Sequence, residues 1–304
     1  MRVLVTGGLG YIGGEVVRRL LQRGDEVSVI DLARRPATAP PPPHDNMTVH
    51  FANITKPEKI RPLFDDVDAV VHAAGIHHAD EVARQPNRHV NVNVGGTLNV
   101  LRAAEQAGVR RVVQLSSAKV YGQTEVASTE SDLVRPTDEY ALGKCVAEAY
   151  CAHFAANTTL EVTSLRPFSV YGPGMDLRTG YCGALLDAVV TGAPAVLSGT
   201  PDFSRDFVHL DTVADVIVAA STSAVPPPLL LNVGSGRSTT LSELVEVFDD
   251  LTCRRLAATY STPRGGTLER TLADISLMND VACPEIPDLR TGVEAMIRSH
   301  FTNR

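Results

Sequence analysis

The chain has 304 residues, 44% of them apolar and 21% charged, with a formal net charge of −7; that suffices for a large core with a smaller attached lobe, and the negative balance disfavours nucleic acid or an anionic membrane as partner. The five cysteines, at positions 145, 151, 182, 253 and 283, form no CxxC pair and read as reduced, with no metal site. Without tryptophan and with only 5% aromatics, a ligand has to be held mainly by backbone and polar groups.

Met1-Arg2-Val3-Leu4-Val5 runs straight into glycines rather than into a signal-peptide layout, and no apolar run approaches the ~20 residues of a membrane span. A cytoplasmic, membrane-free protein is expected. Val3-Leu4-Val5 predicts a first strand, and Ile12, Val16, Val17, Leu20 and Leu21 then recur at helical spacing until Gly24 stops the helix. Val27-Ser28-Val29-Ile30 supplies a second strand and completes a βαβ unit. Pro36 to Pro43 holds five prolines in eight residues, which excludes helix and central strand and predicts a stiff surface loop. Val49-His50-Phe51, Ala69-Val70-Val71, Val112-Val113-Gln114-Leu115 and Val162-Thr163-Ser164-Leu165 alternate with helical stretches, the pattern of a doubly wound parallel sheet. After Arg166, Gly/Pro-punctuated pieces such as Tyr171-Gly172-Pro173-Gly174 predict a smaller C-terminal α/β lobe.

Gly7-Gly8-Leu9-Gly10-Tyr11-Ile12-Gly13 joins the first strand to the first helix and satisfies GxGxxG from Gly8. Without side chains the backbone can turn sharply and approach a pyrophosphate at the helix N-terminus. Asp31 ends the second strand, eighteen residues past Gly13, where a carboxylate accepts both hydroxyls of an adenosine ribose and repels a 2′-phosphate. NAD is therefore the expected cofactor, with Arg34 and Arg35 as the argument for NADP and a strand-end turn as the plain alternative for Asp31.

Tyr140-Ala141-Leu142-Gly143-Lys144 puts a phenol and an ammonium at i and i+4, on one helix face. A tyrosine with its ordinary pKa of about 10 is a poor base at neutral pH, and an adjacent cation should lower that value. YxxxK also arises by chance, between two unrelated surface residues. Ser116-Ser117-Ala118-Lys119-Val120-Tyr121-Gly122 follows the fifth strand, at the mouth of the sheet, where a hydroxyl can share a proton with the phenol. Gly143 costs about 1 kcal/mol of helix propensity, which suggests either close packing or nothing.

These landmarks, together with His72-Ala73-Ala74-Gly75, Asn93-Val94-Gly95-Gly96-Thr97, Arg166-Pro167-Phe168-Ser169-Val170-Tyr171-Gly172, Arg205-Asp206-Phe207-Val208-His209, Asn232-Val233-Gly234-Ser235-Gly236 and Arg264 with Gly266, stand in one order nearly end to end. With them the chain resembles the extended short-chain dehydrogenase/reductases, specifically their NAD-dependent nucleotide-sugar epimerase/dehydratase branch. The resemblance implies a Rossmann-type dinucleotide-binding part, residues 1–166 with about 205–231, and a substrate lobe of about 167–204 with 232–304. It makes Ser117, Tyr140 and Lys144 the catalytic set, with Ser116 structural. Gly7, Gly10, Tyr11, Ile12, Gly13, Asp31, Leu32, Asn53, Ile54, Ala73, Ala74 and Pro167 fall at the cofactor, as do Tyr140 and Lys144, the lysine on the nicotinamide ribose, although the family more often has Asp at position 53. Arg205 and Arg264 match arginines that grip the diphosphate of a nucleotide sugar, a task suited to guanidinium forks.

The branch begins by taking the proton from a sugar hydroxyl, usually O4′, as hydride passes to NAD. Dehydratases and decarboxylating members usually carry acidic residues just after the catalytic Ser/Thr, where this chain has Ala118 and Lys119. Elimination then lacks an acid/base partner, and 4-epimerisation of a UDP-hexose or UDP-hexuronate is favoured. Ser169, Lys119, His77 and His78 are candidates near the sugar, the basic ones also readable as solvated loop residues. A keto-sugar reductase, a dehydratase and a catalytically silent NAD-sensing regulator remain alternatives. The family often dimerises through a four-helix bundle, expected here from 95–106 and 140–154, with Leu98, Leu101, Val146 and Ala149 as candidate faces.

Overall fold

The computed structural model describes residues 1–32, 41–77, 79–263 and 267–302. Each predicted β-branched run forms a strand, and β1, β3, β4 and β5 each lead into helix before the next strand of the sheet. In chain order β1 (Arg2–Thr6), α1 (Tyr11–Gln22), β2 (Glu26–Asp31), β3 (Met47–Phe51), α2 (Pro57–Ile60), β4 (Ala69–His72), α3 (Ala79–Arg84), α4 (Pro86–His89), α5 (Thr97–Ala107), β5 (Arg111–Leu115), α6 (Glu139–Asn157) and β6 (Glu161–Pro167) build the first part. Then come β7 (Ser169–Tyr171), α7 (Gly180–Thr191), β8 (Ala195–Ser198), β9 (Ser204–Arg205), β10 (Phe207–His209), α8 (Leu210–Thr222), β11 (Leu230–Val233), β12 (Thr239–Thr240), α9 (Leu241–Thr252), β13 (Ala258–Ser261), α10 (Ser276–Val281) and α11 (Leu289–Thr302).

Seven strands form one sheet in the order β11-β6-β5-β4-β1-β2-β3, and every pair is parallel. This is a Rossmann-type α/β sheet. The chain order reverses between β1 and β4, so a crevice opens at the carboxyl ends of those strands. Because both faces are covered, apolar residues do not alternate with polar ones but with each other. Val3, Val5, Val29 and Val71 pack on α1 and α8, whereas Leu4, Ile30, Val70 and Val112 pack on α5 and α6. A third core gathers Tyr171, Leu185, Leu186, Leu197, Phe248 and Met296 from the chain after β6.

The seventh strand, β11, lies outside the predicted runs, because only one of its residues, Val233, is β-branched and it follows closely on a triple proline. Pro41–Pro43 have no regular structure; Pro42 and Pro43 are exposed, as a surface loop requires, while Pro41 is buried, and the rest of the run lies outside the described residues. No helix among the described residues is long and apolar enough to cross a membrane.

Candidate functional site at the carboxyl ends of the strands

The glycine turn is fixed by close approaches. Gly7 has φ +72°, and a Cβ there would stand 2.7 Å from the Ala74 amide nitrogen, while one on Gly13 would stand 2.2 Å from the Gly7 carbonyl oxygen. Beside Gly10 a Cβ would meet only the Gly7 carbonyl, at 3.1 Å. Gly10 caps α1 without any side-chain hydrogen bond, and no acidic residue stands in the first turn. The leading amides at Tyr11, Ile12 and Gly13 thus suit an anionic diphosphate. Asp31 holds the turn against β2, accepting from the Leu9 amide at 2.9 Å and the Leu32 amide at 2.7 Å. A carboxylate has about four lone-pair positions, so two stay available for a ribose diol. This geometry fits the dinucleotide expected above.

Behind the turn a buried chain fixes Ala74. Its amide donates to Thr6 Oγ1 (3.3 Å), the Thr6 hydroxyl to His72 Nδ1 (2.7 Å), His72 Nε2–H to Thr97 Oγ1 (3.0 Å), and the Thr97 hydroxyl to the Asn93 carbonyl (2.6 Å). Only one imidazole tautomer satisfies all four bonds, and burial pushes the His72 pKa down to about 3, keeping the ring neutral. Ile54 is buried, its carbonyl accepting from Asn99 Nδ2 at 2.9 Å, and exposed Asn53 accepts from the Thr55 amide at 3.0 Å. The Tyr11 ring packs on the third core with its hydroxyl buried and unpartnered. What Tyr11 can offer a cofactor is its backbone amide.

At the end of β5, Ser117 caps a single 3₁₀ turn (Ala118–Tyr121), its Oγ accepting from the Lys119 amide at 3.2 Å. Asp138 caps α6 through the Ala141 amide at 2.7 Å. These two caps bring the Ser117 hydroxyl close enough to the Tyr140 phenol to act on its ionisation. Lys144, only 9% exposed, donates to the Leu115 carbonyl at 2.5 Å and lies 5.8 Å from the centre of the Tyr140 ring. Burial pulls its pKa down to about 8, against the pull of Glu148. The expected lowering of the phenol pKa is not what the structure shows. Burial pushes Tyr140 up to about 12; the Ser117 hydroxyl works against this and the Asp138 charge adds to it. With its ammonium on Leu115, Lys144 does not offset the desolvation of the phenol.

Lys119 does not stand free beside a ligand, since its ammonium pairs with Asp138 at 2.7 Å. Arg205 is 6% exposed, bonded to the Ser204 and Glu269 carbonyls at 2.7 and 3.1 Å, to the Leu268 carbonyl and to the Tyr181 hydroxyl, over whose ring it lies. It is therefore a strut between β9 and the 267–269 segment, not an open fork. Arg264, Gly266, His78, Arg34 and Arg35 lie outside the described residues. His77 is exposed after β4, Ala73 and Ala74 are half-buried, and Pro167 is buried at the end of β6. Ser169 is half-buried on β7 and donates its amide to Asp206. A cleft of about 530 Å³ between Gln123–Glu125, Thr200–Ser204 and Glu269–Arg270 is lined by none of the predicted residues.

Sequence reasoning left out Glu148, which lies 8% exposed and takes a bidentate bond from Arg166 (2.9 and 2.7 Å) and the Ser116 hydroxyl (2.5 Å). Its place four residues after Lys144, on the same face, was the available signal. Ser116 accordingly turns into the core. His89 and Asp138 were also left out, and only the N-cap position of Asp138 was legible.

A family model described as the NAD dependent epimerase/dehydratase family matches residues 3–234. The UDP-glucose 4-epimerase of Mycolicibacterium smegmatis is 30% identical over 298 residues, covering 92% of each chain. Among solved structures, MoeE5 in complex with UDP-glucuronic acid and NAD superposes with a TM-score of 0.91 at 29% identity over the whole of both chains. The NAD-dependent NDP-hexosamine 5,6-dehydratase TunA superposes with a TM-score of 0.90 at 26% identity, covering 99% of this chain and 98% of its own.

Proposed function

Because the chain belongs to the NAD-dependent epimerase/dehydratase family, we propose that it is a nucleotide-sugar 4-epimerase, acting as a homodimer on a UDP-hexose or UDP-hexuronate. The observation that carries this reading is the pair Lys119–Asp138. Elimination of water needs a second acid/base beside the tyrosine. The residues after Ser117 are Ala118 and Lys119; of the two carboxylates just before Tyr140, Glu139 is exposed and Asp138 is committed to the Ala141 amide and the Lys119 ammonium. A site that oxidises a sugar carbon and offers no free carboxylate beside Ser117 is suited to returning the hydrogen to either face.

In this reading Gly7, Gly10 and the amides of Tyr11, Ile12 and Gly13 hold the cofactor's diphosphate, Asp31 and Leu32 its adenosine ribose, Asn53 and Ile54 its adenine, and Ala73, Ala74 and Pro167 line the groove. NAD, when bound, accepts a hydride from the sugar carbon and gives it back. Tyr140 takes and returns the proton of the sugar hydroxyl, Ser117 shares it, and Lys144 keeps a cation beneath the ring. Burial raises the Tyr140 pKa in the bare protein, and the positive charge of an oxidised cofactor held nearby would bring it down. Arg205 supports the segment after Arg264 through Leu268 and Glu269, so gripping the substrate diphosphate falls to Arg264. His77, Lys119 and Ser169 border the sugar. The part built on the seven-stranded sheet binds the cofactor, and the lobe around the third core binds the substrate.

The test is incubation of purified protein with UDP-, dTDP- and GDP-hexoses and UDP-hexuronates, with products resolved by chromatography. A C4 epimer forming without net absorbance of reduced nicotinamide is the expected result. Net cofactor oxidation would make it a reductase, loss of water a dehydratase, and either overturns the proposal.

A further inference from the structure

Glycine inside a helix costs about 1 kcal/mol relative to alanine, yet α6 carries Gly143 between Tyr140 and Lys144. The structure shows what the missing side chain makes room for. His89, the last residue of α4, is 1% exposed, and a Cβ at position 143 would stand 2.6 Å from its Cε1 and 3.3 Å from its Nε2. The same imidazole faces Tyr140, with ring centres 6.1 Å apart and planes tilted by 46°. Its Nε2 is buried and has no hydrogen-bond partner among the described residues, so no bond at that nitrogen holds the ring: shape does. Burial and the Lys144 ammonium both push the imidazole toward its neutral form.

We infer that His89 is a positioning residue for Tyr140: seated in the notch left by Gly143, its ring fixes the sideways placement of the phenol, and position 143 has to remain glycine for it to do so. The inference rests on the reading that Tyr140 moves the proton. The histidine comes from a different crossover, 51 positions before Tyr140 in the chain, so the phenol is held between α4 and the Ser117 turn rather than by its own helix alone. A displacement of about 1 Å in such a group can cost about 100-fold in rate.

The experiment compares the NAD-loaded wild type with Gly143→Ala, His89→Ala and the double variant. Gly143→Ala is expected to lower kcat about 10- to 100-fold with KM and NAD affinity within about threefold, the split expected when only transition-state placement suffers. Adding His89→Ala should relieve that loss to the level of His89→Ala alone, because the clash is gone. Crystals of NAD-bound Gly143→Ala should show the Tyr140 hydroxyl displaced from Ser117. A role in helix stability alone predicts the reverse, since alanine is the better helix former. Unchanged kcat in Gly143→Ala, or a loss that His89→Ala fails to relieve, overturns the inference. If Gly143→Ala does not fold, His89→Ala by itself decides: it must lower kcat at least about fivefold at unchanged KM, and full activity overturns the inference. Wild-type protein inert on every sugar would instead sink the epimerase reading, and the position of Tyr140 in NAD-bound crystals of the two single variants would still decide this one.

Discussion

Asp138 acts on Tyr140 in two ways, by capping the helix that carries it and by opposing its ionisation. Asparagine caps as well as aspartate but carries no charge, so Asp138→Asn separates the two. An anion beside a phenol disfavours the phenolate; removing it lowers the tyrosine pKa, and the limb of kcat/KM that rises with tyrosine ionisation should move to lower pH. Lys119→Gln uncovers the same carboxylate and should move that limb to higher pH. Shifts of about half a unit or more in opposite directions are expected, and pH profiles that move together would refute the electrostatic account. Lys144 carries a different cost. Its folded pKa, about 8 against an ordinary 10.5, means that the unfolded chain binds the proton more tightly. The protein is therefore destabilised below pH 8, on the order of 3 kcal/mol for a shift of that size, and relieved as pH rises from 8 towards 10.5. Lys144→Met should abolish turnover and raise Tm at pH 7 by a few degrees, because Glu148 keeps Arg166 and the Leu115 carbonyl keeps Gln114. A clear fall in Tm by calorimetry would show the ammonium to be a net stabiliser.

At the scale of elements, α6 is apolar on both sides. Ala141, Ala147, Cys151 and Phe154 face the core, while Leu142 and Val146 stand 53% and 38% exposed and Ala149 is exposed on the opposite face. An amphipathic surface helix would show charge there, so this stripe is the expected dimer seam. Leu101 does not join it, being fully buried in the second core, and Leu98 is half-buried against that core. Val146→Glu should convert a dimer to a monomer in sedimentation equilibrium, and a wild type already monomeric at micromolar concentration would remove the seam. Such elements were legible because their signal is local: β-branched runs for six of the seven strands, a glycine turn, and an i to i+4 pair. What was not legible depends on distant partners. The reason for Gly143 lies in His89, and the fate of Arg205 lies in the carbonyls of Leu268 and Glu269. Lys119 reads as a cation facing ligand until Asp138 is seen beside it.

In the whole molecule the Tyr11 side chain joins the cofactor turn to the third core. Tyr11 opens α1, where its amide faces the crevice, yet its ring packs with the third core. Arg19, on the same helix, pairs with Asp211 at 2.8 Å and with Asp215 at the start of α8, so the first helix is clamped between the sheet and the later chain. Cofactor bound at the turn should thus stabilise both parts together, and the thermal transition should remain single while rising with NAD, by about 2.7 kcal/mol at 100 times Kd. The buried Tyr11 hydroxyl separates backbone from side chain in this link. It has no partner among the described residues, and burial pushes its pKa up. A buried hydroxyl without a bond costs about 1 kcal/mol or more, so Tyr11→Phe, which keeps the ring, should raise Tm by about 2 °C and leave the Kd for NAD within about twofold by calorimetric titration. If the hydroxyl reached the cofactor instead, the same substitution would weaken NAD at least about tenfold, and the assignment of Tyr11 to the joint between the two parts would fall.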